Sequence, residues 1–132
     1  MEPREPFAEV FAQLRAILTR HAAAFTAVHD TADNYYLNGG ATAKYPDGFF
    51  FGAVQIKKRY VSYHLMAVYA EPALLADMSA ALRKRMQGKS CFNFTAVDAP
   101  LFAELATLTE RAVACYARRG WLAHPSAHDE RS

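Results

Sequence analysis

The 132-residue sequence contains only two cysteines, Cys91 and Cys115, and no long run of apolar residues. Two widely separated cysteines are too few for a disulfide framework or for zinc-finger spacing, so we expect reduced, mostly buried thiols. A membrane-spanning helix needs about eighteen or more consecutive apolar residues, and no segment reaches that length. The first residues, MEPREPFAEV, lack the basic and apolar regions of a signal peptide. These absences predict a cytoplasmic protein without a membrane partner.

Positive and negative residues nearly balance, with 15 Lys and Arg and 13 Asp and Glu. The resulting net charge of +2 is too small to indicate a nucleic-acid partner. An apolar fraction of 52% is typical of a globular protein, and the length suits one core. We therefore expect a single domain over residues 1–122, followed by a polar, disordered tail over residues 123–132.

Two periodicities divide the chain into helices and strands. Apolar residues spaced by three or four predict helices over residues 7–25, 72–86 and 98–119. Runs rich in aromatic and branched residues predict strands over residues 34–37, 49–56, 60–69 and 91–95. This order predicts an α+β fold of two layers, with a mainly antiparallel sheet of about four to five strands and helices packed on one face.

Several residues are typical of the starts and ends of helices. Ser79 is expected to restart the second helix midway, and Gly88 to end it in the left-handed conformation. Asp98 is expected to open the last helix and Gly120 to end it, with Trp121 folding back as a hydrophobic contact.

The two central strands predict a hairpin with its loop at residues 57–60. Its core-facing pairs would be Ile56 with Val61, Val54 with Tyr63, Gly52 with Leu65, and Phe50 with Ala67. The opposite face would carry a candidate ligand or homodimer surface made of Phe49, Phe51, Ser62, His64 and Met66. The alternative is that a loop or the tail covers this face.

A second candidate site is a cluster of cations. The helix after the hairpin must return along the sheet, so its basic end is expected to lie near the hairpin tip. The candidate anion-binding residues are Lys57, Lys58, Arg59, Arg83, Lys84, Arg85 and Lys89. The ordinary explanation is a solvated rim that keeps the tip soluble.

The sequence contains no recognisable set of catalytic residues. No pair of carboxylates shares a helix face or strand, and His64 has no carboxylate or cysteine at ligand spacing. Such a histidine is more often a packed residue than a base or ligand. The sequence therefore predicts no catalytic residue, no metal ligand and no cofactor.

Three segments are similar to the YdhG-like domains, a family of small domains related in fold to frataxin-like iron chaperones. They are YVSYHLMAVY, LRKRMQGKSCFNF and LFAELATLTERAVACY, and the likeness covers residues 7–116. The resemblance implies a frataxin-like α+β fold and, in some members, iron bound by acidic side chains of the first helix and sheet edge. The first helix here offers Glu9 among Arg15, Arg20 and His21.

These observations predict a cytoplasmic, non-enzymatic binding or adaptor domain for a small ligand or a protein partner. One alternative is an iron chaperone, implied by the resemblance. The other is an enzyme or ligand-binding protein that uses an aromatic groove near Tyr63 and His64.

Overall fold

Residues 5–124 form six strands and four helices. The structure is a computed structural model and describes residues 5–124, so most of the predicted tail lies outside the described residues. The strands are β1 Thr26–Asp30, β2 Asn34–Asn38, β3 Phe50–Ile56, β4 Val61–Leu65, β5 Met86–Gln87 and β6 Cys91–Phe94. The helices are α1 Glu5–Thr19, α2 Ala67–Ala70, α3 Ala80–Arg83 and α4 Ala99–Arg118. Residues Ala22–Ala24 and Pro72–Leu75 form 3₁₀ turns.

The strands form one open sheet in the order β1-β2-β3-β4-β6-β5, and every neighbouring pair is antiparallel. The predicted α+β class is thereby confirmed. The two strands missing from the prediction, β1 and β5, are the edges of the sheet. All five residues of β1 are exposed, and β5 has only two residues, so neither shows the alternation that marks a half-buried strand.

Helix α1 packs against β3, β4 and α4, and side chains of α4 contact Phe51, Tyr63 and Phe94 of the sheet, so the core lies between the two layers. Fully buried side chains from both layers fill it, among them Leu14, Leu18, Tyr63, Phe92 and Leu105. The Tyr63 hydroxyl lies 2.6 Å from Thr109 Oγ1, which donates to the Leu105 carbonyl oxygen at 2.8 Å. Burial raises the pKa of Tyr63, so its hydroxyl stays protonated inside the core.

The predicted hairpin register is correct except at its open end. Val61, Tyr63 and Leu65 pair with the expected residues of β3. The face assignment of Phe50 and Phe51 is wrong, because a β-bulge between β2 and β3 adds one residue to β3 at this point. Phe51 is completely buried and stacks on Phe25, with ring centroids 4.0 Å apart. Phe50 lies on the opposite face, where its ring meets those of Tyr36 and His64.

The segment after β4 also differs from the prediction. The strand ends at Leu65, and the predicted helix over residues 72–86 is divided into a 3₁₀ turn, the four-residue helix α3 and strand β5. The division occurs at Ser79, whose backbone N–H and hydroxyl both donate to the Glu104 carboxylate at 2.7 Å. Because this N–H binds α4, it cannot continue a helix from residue 75. Ser79 does restart the helix, as predicted, by accepting a bond from the Leu82 N–H.

Gly88 has the expected positive φ of 77°, but it lies in the turn between β5 and β6 and not at the end of a helix. The first predicted helix is shorter as well. It ends at Thr19, and a 3₁₀ turn over Ala22–Ala24 brings Phe25 into the core.

The bulge makes a testable distinction between two adjacent phenylalanines. We expect Phe51→Ala to lower the free energy of unfolding by about 3–5 kcal/mol, since it empties a core position. Phe50→Ala should cost only about 1 kcal/mol, because it removes partial aromatic contacts at the surface. Urea denaturation of the two variants measures the difference. Equal costs, or a larger cost for Phe50→Ala, would contradict the register of the bulge.

Candidate functional site

An aromatic groove of about 430 Å³ opens at the end of the sheet where β3 begins and β4 ends. Four of its eight lining residues are aromatic, and we call this site the aromatic groove. Its lining residues are Thr42, Lys44, Tyr45, Phe49, Met66, Tyr69, Ala70 and Trp121. The side chains of Tyr45 and Tyr69 are 42% and 56% exposed, so large apolar surfaces remain open to solvent.

Two glycines bring the chain after α4 against the connection between β2 and β3. The Gly40 N–H donates to the Trp121 carbonyl oxygen at 2.6 Å, and the Gly39 N–H donates to the Phe49 carbonyl oxygen at 2.7 Å. A Cβ atom on Gly39 would overlap the Trp121 carbonyl oxygen, and one on Gly40 would lie 2.7 Å from that of Leu122. The absence of side chains in this segment therefore permits the close approach that makes Trp121 a wall of the groove.

The end of α4 sets the direction of Trp121. Gly120 adopts a φ of +73°, and the Trp121 N–H donates back to the Tyr116 carbonyl oxygen at 2.8 Å. The indole ring then meets the rings of Tyr116 and Phe49 at centroid distances of 5.2 and 4.9 Å. The predicted folding back of Trp121 is thereby confirmed.

The facing wall comes from α2, which the sequence did not predict. The Met66 N–H donates to the Phe51 carbonyl oxygen at 2.9 Å, after which the chain turns into the helix. This turn buries Ala67 and Val68 and leaves Met66, Tyr69 and Ala70 along the groove.

Cations surround the aromatic rings of this region. Lys44 Nζ lies 5.7 Å from the centroid of Tyr45, Lys89 Nζ lies 5.9 Å from that of Tyr69, and the guanidinium carbon of Arg119 lies 5.0 Å from the Trp121 ring. These distances are within the range of cation–π attraction.

The carboxylate of Glu71 is already engaged by cations. Its oxygens accept bonds from Arg119 at 2.8 Å and from Arg118 at 3.1 Å. The hydrogen bond from Arg119 lowers the pKa of Glu71, and Cys115 and Arg118 lower it further. The one carboxylate adjacent to Ala70 in sequence is therefore ion-paired and adds little negative charge to the groove.

A second groove, of about 670 Å³, lies on the other side of Tyr69, and we call it the basic groove. It combines apolar side chains with the two cations Arg83 and Lys89. Its lining residues are Val68, Tyr69, Pro72, Leu75, Arg83, Met86, Gly88 and Lys89. Tyr69 thus borders both grooves.

The sheet face opposite α1 and α4 forms a third surface, which we call the open face because none of the helices within residues 5–124 packs on it. One row across four strands is polar, with Asn34, Gln55, Ser62 and Asn93 in successive pairing positions. The side-chain oxygen of Asn93 is buried and has no hydrogen-bond partner among the described residues.

The row beside it contains His64, which is half-buried on the open face. Its Nε2 atom lies 2.7 Å from Ser90 Oγ, and its ring meets Phe50 edge-on. Cys91 is the residue directly opposite on β6, so the thiol has a histidine neighbour in space that the sequence did not reveal. Cys115 is buried, as expected for both thiols, whereas Cys91 is only partly buried.

The predicted ligand or dimer face is divided among three places. Phe49 and Met66 line the aromatic groove, and Ser62 and His64 lie on the open face. Phe51 was wrongly included, since the bulge turns it into the core. Tyr63 and His64 point to opposite faces of β4, so the structure does not bring them together in one groove.

The predicted cation cluster is divided as well. Arg85 lies toward the hairpin tip, since its carbonyl oxygen accepts from Asn93, which pairs with Ser62. Lys89 lies at the opposite end of β4, beside Tyr69, so its grouping with Lys57, Lys58 and Arg59 was wrong. The physical reason is that the turn through Gly88 belongs to the hairpin of β5 and β6, which runs away from the tip.

The sequence analysis did not name Lys44, Tyr45 or Tyr69 as site residues, and it named Trp121 only as a contact at the end of the last helix. Lys44 and Tyr45 belong to the connection between β2 and β3, which has no periodic pattern. Tyr69 was assigned to a strand, although the chain there is helical. The only signal that could have directed attention to Tyr69 was the Glu71-Pro72 sequence, which ends the preceding element.

No protein-family model matches this chain, and no curated protein or solved structure shows significant similarity to it. The resemblance to YdhG-like domains therefore stays a prediction. No helix among the described residues has the length and apolar character needed to cross a bilayer. Between residues 5 and 124, no three His, Cys, Asp or Glu side chains are grouped so that they could hold a metal ion.

The position of His64 predicts a specific pH dependence of stability. Burial, together with the nearby charge of Lys57, lowers the pKa of His64 from its usual 6.5. The unfolded chain therefore binds a proton more readily than the folded protein, and stability should fall as the pH drops below about 6.5. Urea unfolding between pH 5 and 7.5 measures this loss, and His64→Gln should flatten the curve in that window. An unchanged pH profile in the variant would show that His64 is not responsible.

Proposed function

We propose that this protein is a cytoplasmic ligand-binding domain and that a small, largely apolar ligand occupies the aromatic groove. The observation that supports this most directly is the exposure of Tyr45 and Tyr69 in a concave site that also contains Phe49 and Trp121. Ligand sites are typically concave and apolar, with volumes of roughly 300–1,000 Å³. The volume of about 430 Å³ falls within that range.

The aromatic groove suits a ligand better than the open face does. The open face carries a row of amide and hydroxyl side chains, two of which already bind each other, as Gln55 donates to Asn34 at 3.1 Å. The aromatic groove offers ring faces held in place by backbone hydrogen bonds at Gly40 and Trp121. Fixed walls reduce the ordering cost of binding, so the site is prepared for a ligand.

The chain contains one tryptophan, and it lines the groove, so its fluorescence reports on this site alone. We expect N-phenyl-1-naphthylamine, an uncharged aromatic dye, to bind with saturation and to accept energy from Trp121. Tyr45→Ser should weaken this binding about tenfold, which corresponds to ~1.4 kcal/mol of lost ring contact.

Tyr36→Ser is the matched control, because Tyr36 is a partly exposed tyrosine on the open face. It should leave dye affinity and energy transfer unchanged. Dye binding without saturation, or equal weakening by both substitutions, would show that the aromatic groove is not the binding site. Thermal unfolding of both variants confirms that each remains folded.

A further inference from the structure

We propose that the ligand carries an anionic group, a carboxylate or a phosphate, which Arg83 and Lys89 bind in the basic groove while its apolar body lies in the aromatic groove. This inference rests on the function proposed above and specifies the class of ligand. The two grooves border the same residue, Tyr69, so one molecule can contact both.

The charge of the two grooves has one sign. Lys44 lines the aromatic groove, Arg83 and Lys89 line the basic groove, and within residues 5–124 neither lining includes an aspartate or a glutamate. The nearby carboxylate of Glu71 is held by Arg118 and Arg119. Three cations without carboxylates along an exposed apolar site create a positive potential that favours an anion.

The same geometry argues against a cationic ligand. An ammonium group is usually bound on the faces of aromatic rings, but Tyr45, Tyr69 and Trp121 each already have a protein cation nearby. A second cation at these rings would be repelled. The rings are therefore suited to an apolar body, and the ammonium and guanidinium groups to its anionic end.

Space for an anionic group exists beside Lys89. Gly88 has a positive φ, and a Cβ atom at this position would have no neighbour within 4 Å. Arg83 and Lys89 are both exposed, and no described salt bridge involves either residue. Their charges are thus available to a carboxylate or phosphate, with which lysine and arginine form strong charge-assisted hydrogen bonds.

The inference is tested by displacing the bound dye with three ligands that share the same alkyl chain. Decanol, decanoate and decyl phosphate share an apolar body and differ in the end group. We expect the two anions to displace N-phenyl-1-naphthylamine at about tenfold lower concentration than decanol, and this advantage should shrink with added salt. A difference between decanoate and decyl phosphate shows which anion the site prefers.

The double variant Arg83→Gln/Lys89→Gln should abolish the advantage of the two anions over decanol. Lys57→Gln/Lys58→Gln removes the same amount of charge at the hairpin tip and should keep the advantage. Thermal unfolding checks that both variants are folded. Retention of the advantage in the Arg83 and Lys89 variant, or its absence in the unaltered protein, would overturn the inference.

Three further outcomes distinguish a failure of this inference from a failure of the proposed function. If the dye binds but decanol, decanoate and decyl phosphate all fail to displace it, the aromatic groove is a binding site and the proposed ligand class is wrong. If inorganic phosphate alone binds as tightly as decyl phosphate, the two grooves do not act together and the inference fails. If the dye itself does not bind, the proposed function fails and this inference fails with it.

Discussion

Tyr116 joins the last helix to the bulged start of β3, and it supports two walls of the aromatic groove, Phe49 and Trp121. Its hydroxyl donates to the Phe50 carbonyl oxygen, in the part of the strand where the ladder is irregular. Its ring contacts Phe49, Phe51 and Trp121 at centroid distances of 5.0–5.7 Å. The bulge turns Phe51 into the core and Phe50 outward, while the same tyrosine supports two walls of the aromatic groove. Burial raises the pKa of Tyr116, so the donor is retained at ordinary pH.

Local pairing of charges decides the electrostatics of the site more than the total charge does. The net charge is only +2, yet the two grooves are lined by Lys44, Arg83 and Lys89 without a carboxylate in either described lining. Glu71 could have balanced them, but it binds Arg118 and Arg119 at the end of α4. The ion pairs at this helix end therefore leave a positive region on a nearly neutral protein, and a composition cannot show such a separation.

The two surfaces differ in what holds their side chains. In the aromatic groove, backbone contacts between Gly40 and Trp121 set the walls, and neighbouring rings support them. On the open face, polar side chains bind one another, as Gln55 does with Asn34 across two strands and as His64 does with Ser90 in the turn before β6. The first arrangement leaves ring faces available to a ligand, and the second uses much of its polar capacity internally. This contrast favours the aromatic groove over the open face as the proposed ligand site.

Features that depend on neighbours along the chain could be predicted from the amino-acid sequence. Alternation in the two central strands determined the pairing of Val54 with Tyr63, and Asp98 and Gly120 determined the bounds of the last helix. Of the candidate site, Phe49, Met66, Arg83 and Lys89 could be named from the sequence, although in the wrong groups. The remaining features depend on contacts that form only in the folded protein. The bulge reversed the faces of Phe50 and Phe51, and the bond from Ser79 to Glu104 divided the predicted helix. Both features depend on residues that are distant in sequence, so no local periodicity could have predicted them. The grooves on either side of Tyr69 likewise form only where segments distant in sequence meet.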